Sequence, residues 1–163
     1  MKHKSVKLYN VMFPLWFFFF FPTWLWGILL PANLGIDSLV LLVTLKKLGF
    51  TEKQDRKEIW KKRIWYVWML GFLSDFLGAG VSLLLMMASD YVPFLGAIYD
   101  LPYIWMQIIS AIPGVIVAGL MIYFFNRYLS FRKTDLTKEQ IHKLALSLAI
   151  FTAPYTMLIP LYW

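Results

Sequence analysis

Apolar residues run almost without interruption through residues 11–43, 64–89, 103–125 and 144–163, and charged residues collect in the blocks between. A helix rises about 1.5 Å per residue and the hydrocarbon core of a bilayer is about 30 Å thick, so about 20 such residues make one span. The pattern predicts an all-α, polytopic membrane bundle. The first run is too long for one span. Its 33 residues carry Asp37 as their single charge and would make a helix about 50 Å long. Pro31, Asn33 and Gly35 supply a turn within it, which predicts a helical hairpin. The expected spans are therefore five, at about 11–30, 34–45, 64–89, 103–125 and 144–163, forming a single transmembrane domain over 1–163. The short apolar stretch between the third and fourth spans carries Asp90 and Asp100 and no base.

Composition agrees with that class. Hydrophobic residues make up 60% of the chain, above the roughly 45–50% of a soluble domain, and the mean hydropathy is +0.64. The net charge of +7 is a topology signal rather than a nucleic-acid footprint, because the bases form no continuous face. Three lie ahead of the first span, eight in 46–63 and five in 126–143, which accounts for all 16 Lys and Arg. Under the positive-inside rule the N-terminus and both basic loops are cytoplasmic and the C-terminus is outside. An even number of crossings between residues 10 and 46 follows, again favouring the hairpin. The location expected is the cell (cytoplasmic or inner) membrane, multi-pass. The basic start resembles a signal peptide, but the run behind it is too long and has no small-residue cleavage site, so retention is expected. Trp16, Trp60, Trp65, Trp105 and Trp163 fall near span ends, where interfacial anchors sit.

Local signals place helix starts in the basic loops. Thr51 with Gln54 and Thr137 with Gln140 have capping-box spacing, and Glu52/Arg56 and Glu58/Lys62 are ion pairs four residues apart. An amphipathic helix is expected from about Glu52, able to run on into the third span. The shared Thr-x-x-Gln-x-x-Lys of the two loops is better explained by two ordinary caps than by duplicated halves.

The chemistry centres on Asp75, near the middle of the third span. A carboxylate there costs at least about 2.5 kcal/mol, which a small residue would avoid. It shares a stripe with Gly71, Ser74, Gly78 and Ser82, matched on the fourth span by Gln107, Ser110, Ala111, Gly114 and Ala118. Small residues allow close helix approach, so these two spans are expected to pack tightest. Counted from the last basic residue of each span, Asp37, Asp75, Gly114, Thr152 and Tyr155 lie about 14–20 Å deep, in one layer. Pro113 and Pro154 each remove an amide donor, leaving the carbonyls of Ile109 and Ile150 for another partner. The candidate ion- or solute-binding set is Asp75, Asp37, Ser74, Asn33, Thr152, Tyr155 and Gln107. The alternative for Asp75 is a protonated carboxyl bonded to a neighbouring helix.

Catalysis has the least support. The sequence shows no His/Glu metal cluster, no P-loop and no Ser/His/Asp set, and Cys is absent. No cofactor and no resident metal are expected. Binding or transport of a small solute or cation through the intramembrane carboxylate is the leading reading; the alternative is a non-catalytic subunit or assembly factor of a larger membrane complex. The partners expected are the lipid bilayer and either further copies of the chain or a larger membrane protein, not nucleic acid. The absence of cysteine makes the topology directly testable: a cysteine replacing Lys61 or Lys133 should react with a membrane-impermeant maleimide from the cytoplasmic side alone, and one replacing Asp90 from the outside alone. The opposite labelling pattern would invert the topology.

Overall fold

A computed structural model describes residue 24, residues 26–50 and residues 53–159, with backbone alone for 53 and 54. The described chain is helical, without strands. Its elements are α1 (Trp26–Lys47), α2 (Lys53–Ala88), the short α3 (Pro93–Tyr99), α4 (Tyr103–Phe125), a π-helical turn at Asn126–Ser130, α5 (Lys138–Phe151) and a 3₁₀ turn at Tyr155–Leu158. Four helices are long and apolar enough to cross a membrane: α1, α2, α4 continued through the π turn, and α5 continued through the 3₁₀ turn. This is a multi-pass membrane protein. The expected first span, 11–30, falls largely outside the described residues, as do the capping box at Thr51 and the anchors Trp16 and Trp163.

The hairpin turn expected at residues 31–35 is absent. α1 runs through it without a break, with Pro31 inside the helix. Proline there costs one intrahelical bond, whereas a turn in hydrocarbon would leave several backbone groups without partners, so the helix is the cheaper structure. The termination signal lies further on. Lys46 and Lys47 occupy the last turn, where positive charge suits the helix dipole. Gly49, at a φ of 97°, then reverses the chain as the left-handed residue that ends many helices.

α2 spans 36 residues, about 54 Å, so it crosses the membrane and projects beyond it as one rod. The expected amphipathic helix is its first part. The Glu58–Lys62 pair forms there at 2.6 Å, on an exposed surface where such pairs contribute little. At α5 the Thr137/Gln140 capping box forms in both directions.

The basic ends of α1, α2, α4 and α5 come together. Leu41, Leu45, Ile64, Val67, Ile122, Phe131, Leu144 and Leu148 form one buried cluster there, and Arg63 donates to the Lys133 backbone carbonyl. Both basic loops therefore share one end of the bundle. At the other end the core is smaller, made of Ala79, Ala111, Val115 and Met157. Leu39, Met69, Ile116 and Leu120 point outward and are exposed, as a lipid-facing surface requires.

α2 and α4 make the most extensive helix contact, as their small-residue stripes led one to expect. A Cβ on Gly78 would collide with the Gly114 carbonyl, and one on Gly114 with Ser82 Oγ and the Gly78 carbonyl. The two backbones touch. Gly114→Val should therefore cost about 1–3 kcal/mol through overpacking, read as a lowered thermal midpoint in detergent. Gly27→Ala, whose new Cβ meets nothing within 4 Å, should show no loss; equal behaviour of the two variants would mean that the helices do not meet here.

Candidate functional site

Two polar steps cross the α1–α2 interface. Asn33 and Asp37 lie four residues apart on one face of α1, and Gly71 and Asp75 four apart on one face of α2. Because the helices run antiparallel, Asn33 meets Asp75 in a side-chain hydrogen bond, and Asp37 sits one turn nearer the basic end. There its Oδ2 lies 3.6 Å from the position a Cβ on Gly71 would take. The Asp37 carboxyl thus packs beside Gly71, at a spacing that would still admit a Cβ. The two acids are close enough for their charges to act on each other.

Both carboxyls are withdrawn from solvent, with Asp37 2% and Asp75 4% exposed. Each also keeps one buried oxygen, Oδ2 of Asp37 and Oδ1 of Asp75, without a hydrogen-bond partner among the described residues. Such oxygens are rare in native interiors and mark places where a proton, an ion or a ligand completes the bonding.

α5 closes the third side. Pro154 has no amide hydrogen to offer Ile150, and the helix stops at Phe151. The Thr152 hydroxyl turns back to the Leu148 carbonyl at 2.8 Å, and its oxygen lies within hydrogen-bond reach of the Asp37 carboxyl. The chain then unwinds through Pro154 into the 3₁₀ turn. This break opens a cavity of about 320 Å³ between α1, α2 and residues 151–156. Asp75, Asn33, Thr152 and Thr156 are its polar lining, and Trp26, Phe72, Phe151 and Tyr155 its aromatic walls. Trp26 and Phe72 meet edge to face at 5.1 Å.

The structure sorts the expected set. Asp75, Asn33, Thr152 and Tyr155 reach the cavity, and Asp37 lies behind it, inside the bundle rather than at the outer surface. Ser74 is fully buried but its hydroxyl is taken by the Leu70 carbonyl of its own helix at 2.7 Å. Gln107 is buried on α4, where its amide donates to the Tyr103 hydroxyl. Neither lines the cavity. Tyr155 has a different role from a coordinating one. Half-exposed at the rim, it donates to the Ile150 carbonyl at 2.7 Å, so the acceptor that Pro154 released is already occupied. α4 passes through Pro113 as a helix, and Ser110 there donates to the Gln107 carbonyl at 3.2 Å instead of serving Ile109.

Trp26, Phe72 and Phe151 were not among the sequence candidates. Aromatic residues are so frequent in this chain that none carries a positional signal by itself. A second polar cluster, at the basic end, was equally silent in the sequence: the Arg127 guanidinium donates to the Tyr123 hydroxyl and to His142 Nδ1, the latter at 2.8 Å. This ties the π turn to α5.

Comparison with known protein families, curated proteins and solved structures finds no match to this chain. The function is therefore argued from the site.

A carboxyl kept for function lowers stability where it is buried. Asp75→Asn and Asp37→Asn should each raise the thermal midpoint in detergent, by about 2–4 °C for each kcal/mol regained in a chain of this size. A fall in both would make the acids structural.

Proposed function

We propose that the protein binds a small cationic solute in the cavity at Asp75 and carries it across the membrane, with the Asp37/Asp75 pair holding a proton or the solute's charge in turn. What supports this is Asp75 at the wall of a cavity, its carboxyl otherwise buried and its Oδ1 without a partner among the described residues. Two neighbouring carboxylates away from water do not both remain ionised without compensation, because desolvation and mutual repulsion act in the same direction. One proton shared by the pair leaves a single negative charge facing the cavity. A cationic solute neutralises it; on departure a proton takes its place.

Each helix supplies one part of this arrangement. α1 brings Asn33 and Asp37, α2 brings Asp75, and the break after α5 provides the opening. The basic loops lie on the cytoplasmic side of a cell membrane in this proposal, which directs the cavity toward the outer half of the bilayer. Three of the described spans, α1, α2 and α5 with the turn after it, border the cavity, and a second copy of the chain or a larger membrane partner completes the pathway. The residues act by binding and neutralising charge, with no bond-breaking step.

Dicyclohexylcarbodiimide, which modifies protonated carboxyls in apolar surroundings, tests the site directly. Treatment of the purified protein should place one adduct on the peptide carrying Asp75, and Asp75→Asn should remove it while the protein stays folded by circular dichroism. A wild-type protein that takes up no reagent would overturn the proposal.

A further inference from the structure

Three features of the cavity narrow what it can hold. The first is the number of oxygen donors. A bare calcium ion takes about 6–8 oxygens and magnesium keeps a shell of waters. Here the polar lining is Asp75, Asn33, Thr152 and Thr156, with the Tyr155 hydroxyl at the rim; Thr152 already donates to Leu148 and Tyr155 to Ile150, and the set falls short of the oxygens such an ion takes. Among the described residues no three metal-binding side chains cluster. The second is sign. An anion would face a carboxyl, and a neutral guest would leave the Asp75 charge uncompensated in an apolar site. The third is the wall itself. Trp26, Phe72, Phe151 and Tyr155 surround the space with rings, and aromatic faces attract a cation most strongly where water is excluded.

Volume and bonding capacity add detail. A cavity of about 320 Å³ stands at the lower end of the 300–1,000 Å³ typical of small-molecule sites, enough for a compact organic molecule and far more than a dehydrated ion needs. The Asp75 carboxyl is the acidic group of the lining. Its natural complement is an N–H.

From these we infer that the guest is a primary or secondary organic ammonium with one positive charge and a compact apolar or aromatic body. Its N–H donates to the Asp75 carboxyl, and its body packs against the rings of α1, α2 and residues 151–156. This rests on the reading of Asp75 as a solute-binding carboxyl and goes beyond it by naming the chemical class. A metal cation and a neutral alcohol of the same shape are both excluded guests.

Protection from carbodiimide separates the possibilities, with phenethylammonium as the probe, 2-phenylethanol as its neutral isostere and sodium chloride as the inorganic competitor. Phenethylammonium should slow modification of Asp75 in a saturable way. The alcohol should need at least about 10-fold higher concentration, the range expected for losing a hydrogen bond to a charged group. Sodium at equal concentration should have no effect. Isothermal titration should show the same order of binding, and Ala32→Phe, which fills the cavity without touching either carboxyl, should abolish it. Ile116→Ala, on the lipid-facing side of α4, should leave it unchanged. Protection by sodium, equal protection by the alcohol, or no protection by the ammonium would overturn the inference while the adduct itself left the carboxyl site standing. Absence of any adduct would remove both.

Discussion

The contact on which this bundle depends is the one between the backbones of α2 and α4 at Gly78 and Gly114. In hydrocarbon there is little hydrophobic force to draw helices together, so association relies on close packing and on the few polar groups that meet. Two glycines facing each other let the helices approach until carbonyl oxygens fill the space where side chains would stand. Once that pair is formed, α1 finds a place along α2, and α5 along α4 and α1. The large residues are concentrated where the basic loops meet. The small ones lie toward the other end, leaving room that a uniformly large core would have closed.

The candidate site uses that room. Asp37 packs against α2 beside Gly71, and Asp75 lines the cavity that opens where α5 ends ahead of Pro154. The same proline that breaks the helix also releases the Ile150 carbonyl, which Tyr155 then binds. A single residue thus opens the cavity and brings a ring to its rim. Trp68 adds a further tie between α1 and α2, its indole N–H donating to the Leu30 carbonyl at 3.2 Å; a buried indole needs such a partner. The acids are held by rigid elements on both sides, as a binding site requires if the geometry is to be kept.

At the basic end the polar groups serve a different purpose. Arg63 bonds to the loop at Lys133, and Arg127 joins Tyr123 to His142. Asn126 donates to the Ile122 carbonyl at 2.8 Å within the π turn. These contacts fasten the loop between α4 and α5 to the ends of α2 and α4. They hold the basic end of the bundle together, away from the cavity at Asp75.

Much of this was legible from residue order. Runs of about 20 apolar residues, the confinement of every Lys and Arg to three blocks, the small-residue stripes and the intramembrane Asp75 required a helical membrane bundle with α2 against α4, because length, desolvation cost and close packing depend on composition and spacing alone. The turn at residues 31–35 was misread for a physical reason: proline, asparagine and glycine favour turns where water can satisfy the backbone, and in hydrocarbon the helix keeps its bonds. That continuity carries Asn33 to Asp75 and Asp37 to Gly71, which no local signal specifies. Equal depth placed Asp75, Thr152 and Tyr155 together and helix spacing added Ser74 and Gln107, but only rotation about each helix axis separated those at the cavity from Ser74 and Gln107, which bond within their own helices. The sequence by itself determined that the chain forms helices long and apolar enough to cross a membrane; the tertiary structure decided which residues face one another, because facing depends on how whole helices pack and not on the residues next in the chain.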